Sequence, residues 1–467
     1  MMTIREAAQV LNVDWSGEDV LFTGVSTDSR TLKPGDLFVA LTGERFDGNR
    51  FVASAKERGA VAAMIQRAFG IDELPGGLPL IRVEDTRTSL GQLAAHWRGR
   101  FALPLVGVTG SNGKTTVKEM IAAILRQAVA ADTAKLKPES DQILATEGNL
   151  NNDIGVPQML LRLRAHHRYA VIEMGMNHLG EIAYLTGIAK PSVAVITNAG
   201  AAHIEGLGAV ESVAHAKAEI FAGLDRHGIA VINADDRYAP LWREFAGSHC
   251  IVDFGLRETA SVSAGYQADR LTNRLQLKLP DGSVDVLLHA PGAHNVYNAL
   301  AASAAAVALG IGKKSIAAGL ESFQGVQGRM QKKCGLHHAL LIDDTYNANP
   351  ESVRAALAVL AAAQGKKILV LGDMGELGHA AIELHRTIGR DARKAGLDQM
   401  LTLGELSAYA AEAFGKGARH FTDIGELLDV TEGLLADDVT LLVKGSRFMR
   451  MERVVKQLEQ PREVSCC

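Results

Sequence analysis

The run Gly107-Val-Thr-Gly-Ser-Asn-Gly-Lys-Thr-Thr116 constrains this chain more than any other feature. An apolar stretch from residue 103 to 108 precedes it, and Val117, Met120, Ile121, Ile124 and Leu125 follow at helical spacing on one face. The pattern predicts a strand, a glycine turn and a helix start. In such a turn consecutive backbone N–H groups converge on phosphate oxygens, and the helix N-terminus adds the positive end of its dipole. A lysine at position 114 then reaches the terminal phosphates, and a threonine hydroxyl can hold Mg²⁺, which together describe an ATP site. The general phosphate-loop pattern wants glycine five places before Gly113, where Val108 stands, with glycines at 107 and 110 instead.

The surrounding text has the same rhythm. YAVIEMG, VAVITNAG and GIAVINADD follow as apolar strands separated by helical stretches up to about residue 323, which implies a mostly parallel sheet covered on both faces. ALLIDD, KKILVLGD, QMLTLGE and VTLLVKGS repeat the pattern as a second, smaller Rossmann-like sheet, with Asn349 and Pro350 as helix N-cap and first helical position. Up to about Glu84 the chain is turn-rich around short apolar runs and reads as a small mixed α/β domain. The expected architecture is α/β with three domains: 1–84, a central phosphate-loop domain at 85–326, and a C-terminal domain at 327–467.

Composition narrows the partners. Forty-nine Lys+Arg against 53 Asp+Glu leave a formal net charge of -4, no basic field for a nucleic-acid backbone, and a need for any anionic ligand to be gripped locally. Four cysteines, Cys250, Cys334, Cys466 and Cys467, give no metal-ligand spacing and no disulfide framework, which suits a reducing cytoplasm. The N-terminal MMTIREAAQVLNV lacks the apolar stretch of a secretory signal, and the alanine-rich run at 299–310 is too short to span a bilayer.

Polar residues at strand ends complete the candidate site. Glu173 closes the strand at 169–172, and His203 follows the one at 193–197. Both fall where ligands bind in open parallel sheets, and a carboxylate with a neutral imidazole suits a hard divalent cation that already holds nucleotide oxygens. If residues 210–224 form one helix, then Val213, Lys217, Ile220, Phe221 and Leu224 share a stripe, with a lysine in its apolar middle. Such an amine is paired, neutralised or modified, or it snorkels to water along its own stem. A neutral amine can combine with CO₂ to give an anionic carbamate.

With TGSNGKTT at 109–116, Glu173, His203, His215-Ala-Lys-Ala-Glu219 and His294-Asn-Val-Tyr-Asn298, the chain resembles the Mur ligase family over nearly its whole length. The displaced first glycine of the phosphate loop is that family's own spacing. Thr146-Glu-Gly-Asn-Leu-Asn-Asn152, Asp343-Asp-Thr-Tyr-Asn-Ala-Asn-Pro350, Leu371-Gly-Asp-Met-Gly-Glu-Leu377 and Lys444-Gly-Ser-Arg-Phe-Met-Arg-Met451 resemble the branch that adds a D-alanyl-D-alanine dipeptide.

The resemblance implies an ADP-forming amide ligase that joins D-alanyl-D-alanine to UDP-N-acetylmuramoyl-tripeptide through an acyl phosphate, in bacterial cell-wall synthesis. It further implies that Thr109, Gly110, Ser111, Asn112, Gly113, Lys114, Thr115 and Thr116 bind ATP phosphates, with His294, Asn295 and Asn298 near adenine. Arg329 and Asp344 would reach the nucleotide from the last domain. Thr115, Glu173 and His203 would surround Mg²⁺ together with a carbamylated Lys217. Ser29, Arg30, Asp47 and Gly48 would hold the uridine nucleotide, and Thr146, Asn149 and Asn152 its sugar and peptide; Asn49 stands where many relatives carry histidine. A cytoplasmic monomer with no nucleic-acid partner and no membrane insertion is expected. Alternatives are the branch adding the third amino acid, whose Asp-Asn-Pro-Arg motif is not found here, and a non-catalytic phosphate-loop switch. Folate polyglutamylating ligases lack the uridine patch at 26–30.

Overall fold

The computed structural model describes residues 1–43, 46–69, 76–132, 141–200, 209–269 and 271–460. Three sheets organise them. The first sheet runs in the order Trp15–Ser16, Leu80–Val83, Ala62–Gln66, Asp36–Val39 and Gly24–Ser26, parallel except where Trp15–Ser16 meets its neighbour.

The central sheet has six strands in the order Ile143–Ala145, Tyr169–Glu173, Leu105–Thr109, Val193–Ile196, Ile229–Asn233 and Cys250–Phe254, with every pairing parallel. Leu105–Thr109 and Val193–Ile196 are buried along their entire lengths. That is why they read as unbroken apolar runs: helices cover both faces of a parallel sheet, and each buried Val or Leu contributes about 1.5–3 kcal/mol. On one face the phosphate-loop helix Lys114–Asp132 buries Val117, Met120, Ile121, Ile124 and Leu125 with the alanine-rich helix Ala293–Ala308. Gly319 lets the helix Lys313–Ser322 approach so closely that an added Cβ would lie 2.3 Å from Ile124 Cα.

The third sheet runs Gln331–Cys334, Leu340–Asp344, Val439–Lys444, Lys366–Gly372, Gln399–Leu403 and Ala418–Phe421, with only the first strand antiparallel. Asn349 caps the helix Pro350–Ala361 in a reciprocal capping box with Ser352, as the sequence predicts.

Two expectations need correction. The central region does not alternate strand and helix throughout: Ser263–Asp269, Thr272–Leu279 and Gly282–Leu288 form an antiparallel meander. Its middle strand alternates, with Asn273, Leu275, Leu277 and Leu279 buried, the period-two signature of a sheet wet on one face. Residues 210–224 are also not one helix. The α-helix Val210–Ala218 tightens into the 3₁₀ turn Glu219–Gly223. Glu219 accepts from Gly180 and Ala183 N–H at 2.8 and 3.1 Å, tying the turn to the start of the helix Glu181–Ala189, while the Thr186 hydroxyl donates to the Ile220 carbonyl at 2.9 Å. Val213, Lys217, Ile220 and Phe221 are still buried, while Leu224 is only partly so. Among the described residues, no helix is long and apolar enough to cross a membrane.

Candidate nucleotide and ligation site

The loop after Thr109 is shaped by its two left-handed glycines. Gly110 has φ +151° and Gly113 φ +82°; a Cβ would lie 1.8 Å from Thr197 Oγ1 at the first and 2.3 Å from Asn298 Oδ1 at the second. Only glycine fits there. Thr109 is fully buried, and its hydroxyl finds no partner among the described residues. The neighbouring strand end braces the loop. Ser111 N–H donates to Asn198 O at 3.0 Å, Asn112 N–H to Asn198 Oδ1 at 2.9 Å, and the Thr197 hydroxyl to Asn112 O at 2.6 Å. Sequence reading missed Thr197 and Asn198, although polar residues ending the apolar VAVI strand were the available signal.

Lys114 bends back over the loop, donating to Gly110 O at 2.7 Å. Its pKa is lowered by desolvation, an effect opposed by the Glu173 carboxylate. Thr115 lies in the first turn of the helix, and its hydroxyl donates to Glu173 Oε2 at 2.8 Å, while Asn151 Nδ2 donates to Oε1 at 2.8 Å. Glu173 itself is 1% exposed at the end of its strand. Its N–H donates to Thr146 Oγ1 at 2.9 Å, and Lys118, also 1% exposed, donates to Thr146 O at 2.6 Å. Asn151 and Lys118 are further site residues that sequence reasoning missed; Asn151 lies inside the quoted 146–152 motif.

Lys217 is 1% exposed, and its pKa falls well below the ordinary lysine value because of burial and, second, the Lys114 ammonium nearby. His203, a candidate metal ligand, lies outside the described residues. Among those residues, no group of three or more His, Cys, Asp or Glu side chains converges as a metal site. The donors present nevertheless suit a hard cation, since Glu173 and the Thr115 hydroxyl meet in one buried pocket and none of the described ion pairs neutralises Glu173.

A cavity of about 890 Å³ opens above the loop between the central and C-terminal domains, lined by Ser111 to Lys114, Thr116, Asn152 and Glu173 on one side and Arg329, Asp344 and Lys444 on the other. At one end are His294, Asn295 and Asn298, in the first turns of the helix Ala293–Ala308; Asn295 lies inside the helix, whose N-cap is Gly292. Asn298 Nδ2 donates to Asn295 Oδ1 at 3.0 Å, and Asn295 Nδ2 to Pro291 O at 2.7 Å. Burial lowers the His294 pKa to about 4, so the ring is a neutral donor–acceptor. The Tyr297 hydroxyl donates to Asp235 Oδ2 at 2.7 Å on the same wall.

From the C-terminal domain, Arg329 Nη2 donates to Thr115 Oγ1 at 2.8 Å, with its guanidinium 4.1 Å from the Tyr346 ring centroid. Asp344 accepts from Met330 N–H at 3.1 Å and from Lys444 Nζ at 2.5 Å. Asn349 Nδ2 donates to Asn112 Oδ1 at 2.9 Å, so a second interdomain bond reaches the phosphate loop.

Ser29, Arg30, Asp47 and Gly48 do not line this cavity. Ser29 is buried, and Arg30 is exposed and held by Asp28 at 2.7 Å. Asp47 accepts from the buried Asn49 side chain at 2.8 Å, and a Cβ at Gly48 would strike Leu41 O at 2.4 Å. This patch connects to the central domain through Gln158 Nε2, which donates to Thr27 Oγ1 at 2.7 Å. Asn152 lines the cavity, and its Oδ1 accepts from Gly155 N–H at 2.8 Å. Thr146 stands beneath the cavity floor, and Asn149 is on the turn between them.

This arrangement defines a phosphate-loop α/β enzyme whose last domain faces the loop across a cleft. Family models match in three segments: "Mur ligase family, catalytic domain" at 21–98, "Mur ligase middle domain" at 108–306, and "Mur ligase, glutamate ligase domain" at 328–447. The chain is 42% identical to UDP-N-acetylmuramoyl-tripeptide--D-alanyl-D-alanine ligase of Escherichia coli over 98% of both chains, and 34% identical to the Bacillus subtilis protein of that name over 94% of both. It superposes on a MurF crystal structure from Acinetobacter baumannii with TM-score 0.88, 38% identity and 98% of each chain covered. A Thermotoga maritima MurF in complex with ADP matches at TM-score 0.80, 28% identity and 94% and 98% coverage. The chain belongs to the Mur ligase family.

Proposed function

We propose that this protein is an ATP-dependent, ADP-forming ligase that adds D-alanyl-D-alanine to UDP-N-acetylmuramoyl-tripeptide, making the pentapeptide precursor of peptidoglycan. The full-length identity to relatives bearing that activity in their names supports the reading, and the two-domain grip on the phosphate loop carries its chemistry.

Both reactants of the first step are anions. The terminal carboxylate of the tripeptide attacks the γ-phosphorus of ATP, ADP leaves, and an acyl phosphate forms. The dipeptide amine then attacks the acyl carbon, and phosphate departs with an oxygen from the former carboxylate. Phosphoryl transfer of this kind depends on positioning and charge stabilisation. Lys114 swings from Gly110 O to the β- and γ-phosphates, the loop N–H groups from Ser111 to Thr116 hold them, and Arg329 adds charge from the opposite domain. His294, Asn295 and Asn298 receive adenine, while Asp344 meets the ribose. Thr115, Glu173, His203 and Lys217 would hold Mg²⁺, which screens the charge on the phosphates. The neutral Lys217 amine attacks CO₂, forms an N–C bond and loses a proton, which turns a costly buried cation into an anion.

Ser29, Arg30, Asp47 and Gly48 hold the uridine nucleotide, and Thr146, Asn149 and Asn152 lead its sugar and peptide toward the phosphate loop. Closure of domain 327–467 onto domain 85–326 keeps water from the acyl phosphate. The protein works as a cytoplasmic monomer, where its nucleotide-linked substrate is made. Phosphate release across a grid of UDP-peptides and dipeptides tests the reading. Release that needs both UDP-tripeptide and D-alanyl-D-alanine is expected; ligation of a single amino acid to UDP-dipeptide would overturn it in favour of the third-residue branch.

A further inference from the structure

The acceptor in this reading is a zwitterion, and its pocket needs an anion and a cation at opposite ends. The strands Lys366–Gly372 and Val439–Lys444 are parallel neighbours, with Leu371 opposite Lys444. Both open at their carboxyl ends onto the cleft, where open α/β sheets bind ligands. The two following loops are tied together by the Ser446 hydroxyl, which accepts from Gly375 N–H at 2.7 Å.

Each loop carries one charged group into the cavity. Glu376 lines it with φ +59°, a left-handed backbone that is uncommon outside glycine and is retained where function requires it. Lys114 lines the same cavity from the opposite side, and the Glu376 carboxylate acts on it electrostatically. Arg447 lines the cavity from the other loop, with its guanidinium 5.9 Å from the Tyr346 ring centroid. Its partner Glu452 is 3.2 Å away, in an ion pair whose side chains are 65% and 41% exposed. An exposed pair of this kind contributes little and exchanges readily for another carboxylate. Phe448, also on the cavity wall, is 63% exposed, a large apolar ring with nothing yet covering it, and it lies where a Cβ on Gly375 would touch it at 2.8 Å.

The other cationic side chains of this wall are committed, Arg329 to Thr115 and Lys444 to Asp344. Neighbouring strands are about 4.8 Å apart. An extended dipeptide spans about 7 Å, so two adjacent strand-end loops match it in scale.

We propose that Arg447 and Glu376 are the acceptor-specificity residues: Arg447 receives the dipeptide's terminal carboxylate, Glu376 holds its ammonium end toward Lys114, and Phe448 covers the methyl groups between them. The proposal rests on the dipeptide-adding reading and deepens it.

The test compares kcat/KM for D-alanyl-D-alanine and for D-alanyl-D-alaninamide, which lacks the terminal charge, using the full-length protein with ATP and UDP-tripeptide. Wild type should prefer the free acid at least tenfold. In Arg447→Ala the preference should fall to within twofold of unity, and Arg447→Lys should restore part of it. A folding defect scales both rates by the same factor and cancels from the ratio, so only loss of the carboxylate contact moves it. Glu376→Gln should raise the KM for dipeptide at least tenfold while the KM for ATP moves less than twofold. An unchanged ratio in Arg447→Ala or an unchanged dipeptide KM in Glu376→Gln overturns the assignment. Wild type that fails to ligate any dipeptide overturns the reading beneath it instead.

Discussion

Arg329 donates from the C-terminal domain to the hydroxyl of Thr115 at 2.8 Å, and that hydroxyl donates in turn to Glu173 at 2.8 Å. Three elements distant in the chain therefore meet on a single oxygen. Arg329→Ala should lower ligation turnover about 10²–10³-fold, the usual effect of removing one charged donor from a transferring group. Steady-state ADP release measures it, and turnover near wild type would show that the domain contact is incidental.

Gly113 leaves no space for a side chain: its φ is +82°, and a Cβ would lie 2.3 Å from Asn298 Oδ1. Gly113→Ala should weaken ADP binding at least about tenfold, since left-handed backbone alone costs an alanine about 1–2 kcal/mol. Calorimetric titration with ADP reads the change, and an affinity equal to wild type would mean that the loop does not hold the nucleotide.

Lys118 is a buried lysine with a mechanical task, holding the Thr146 carbonyl at 2.6 Å below the loop that carries Asn151 and Asn152. Lys118→Met leaves that carbonyl unpaired, a loss of about 1 kcal/mol or roughly fivefold in binding. The KM for UDP-tripeptide should rise by that factor, with the KM for ATP unmoved. Equal changes in both would show instead a general loosening of the phosphate-loop helix.

His294 binds fewer protons folded than unfolded, because burial lowers its pKa from 6.5 to about 4. In that window the unfolded chain takes up the extra proton, so this group's contribution to stability is lost as pH falls from 6.5 toward 4. His294→Asn should flatten the dependence of the urea midpoint on pH across this window. An identical slope in both proteins would place the sensitivity elsewhere.

Several of these relationships were legible in the sequence, and others could not be. The phosphate loop announces itself because glycine geometry, lysine and helix start are contiguous. Lys217 was visible through periodicity alone, since Val213, Ile220 and Phe221 are buried with it although the helix tightens after Ala218. Asn349 and Pro350 declare a helix start locally. The contact between Arg329 and Thr115 spans 214 positions, and no local pattern encodes it. Asn198 bracing the loop and Asn151 on Glu173 are likewise products of strand order, which places sequence-distant strand ends side by side. The antiparallel meander was missed because its alternating strand was read within a region governed by parallel strands.

In the proposed reaction the γ-phosphoryl group of ATP passes to the tripeptide carboxylate at the loop around Lys114. UDP-tripeptide labelled with ¹⁸O in its terminal carboxylate, ligated in unlabelled water and followed by phosphorus NMR, tests it most directly. One labelled oxygen is expected in each phosphate released, and unlabelled phosphate would rule out the acyl-phosphate route.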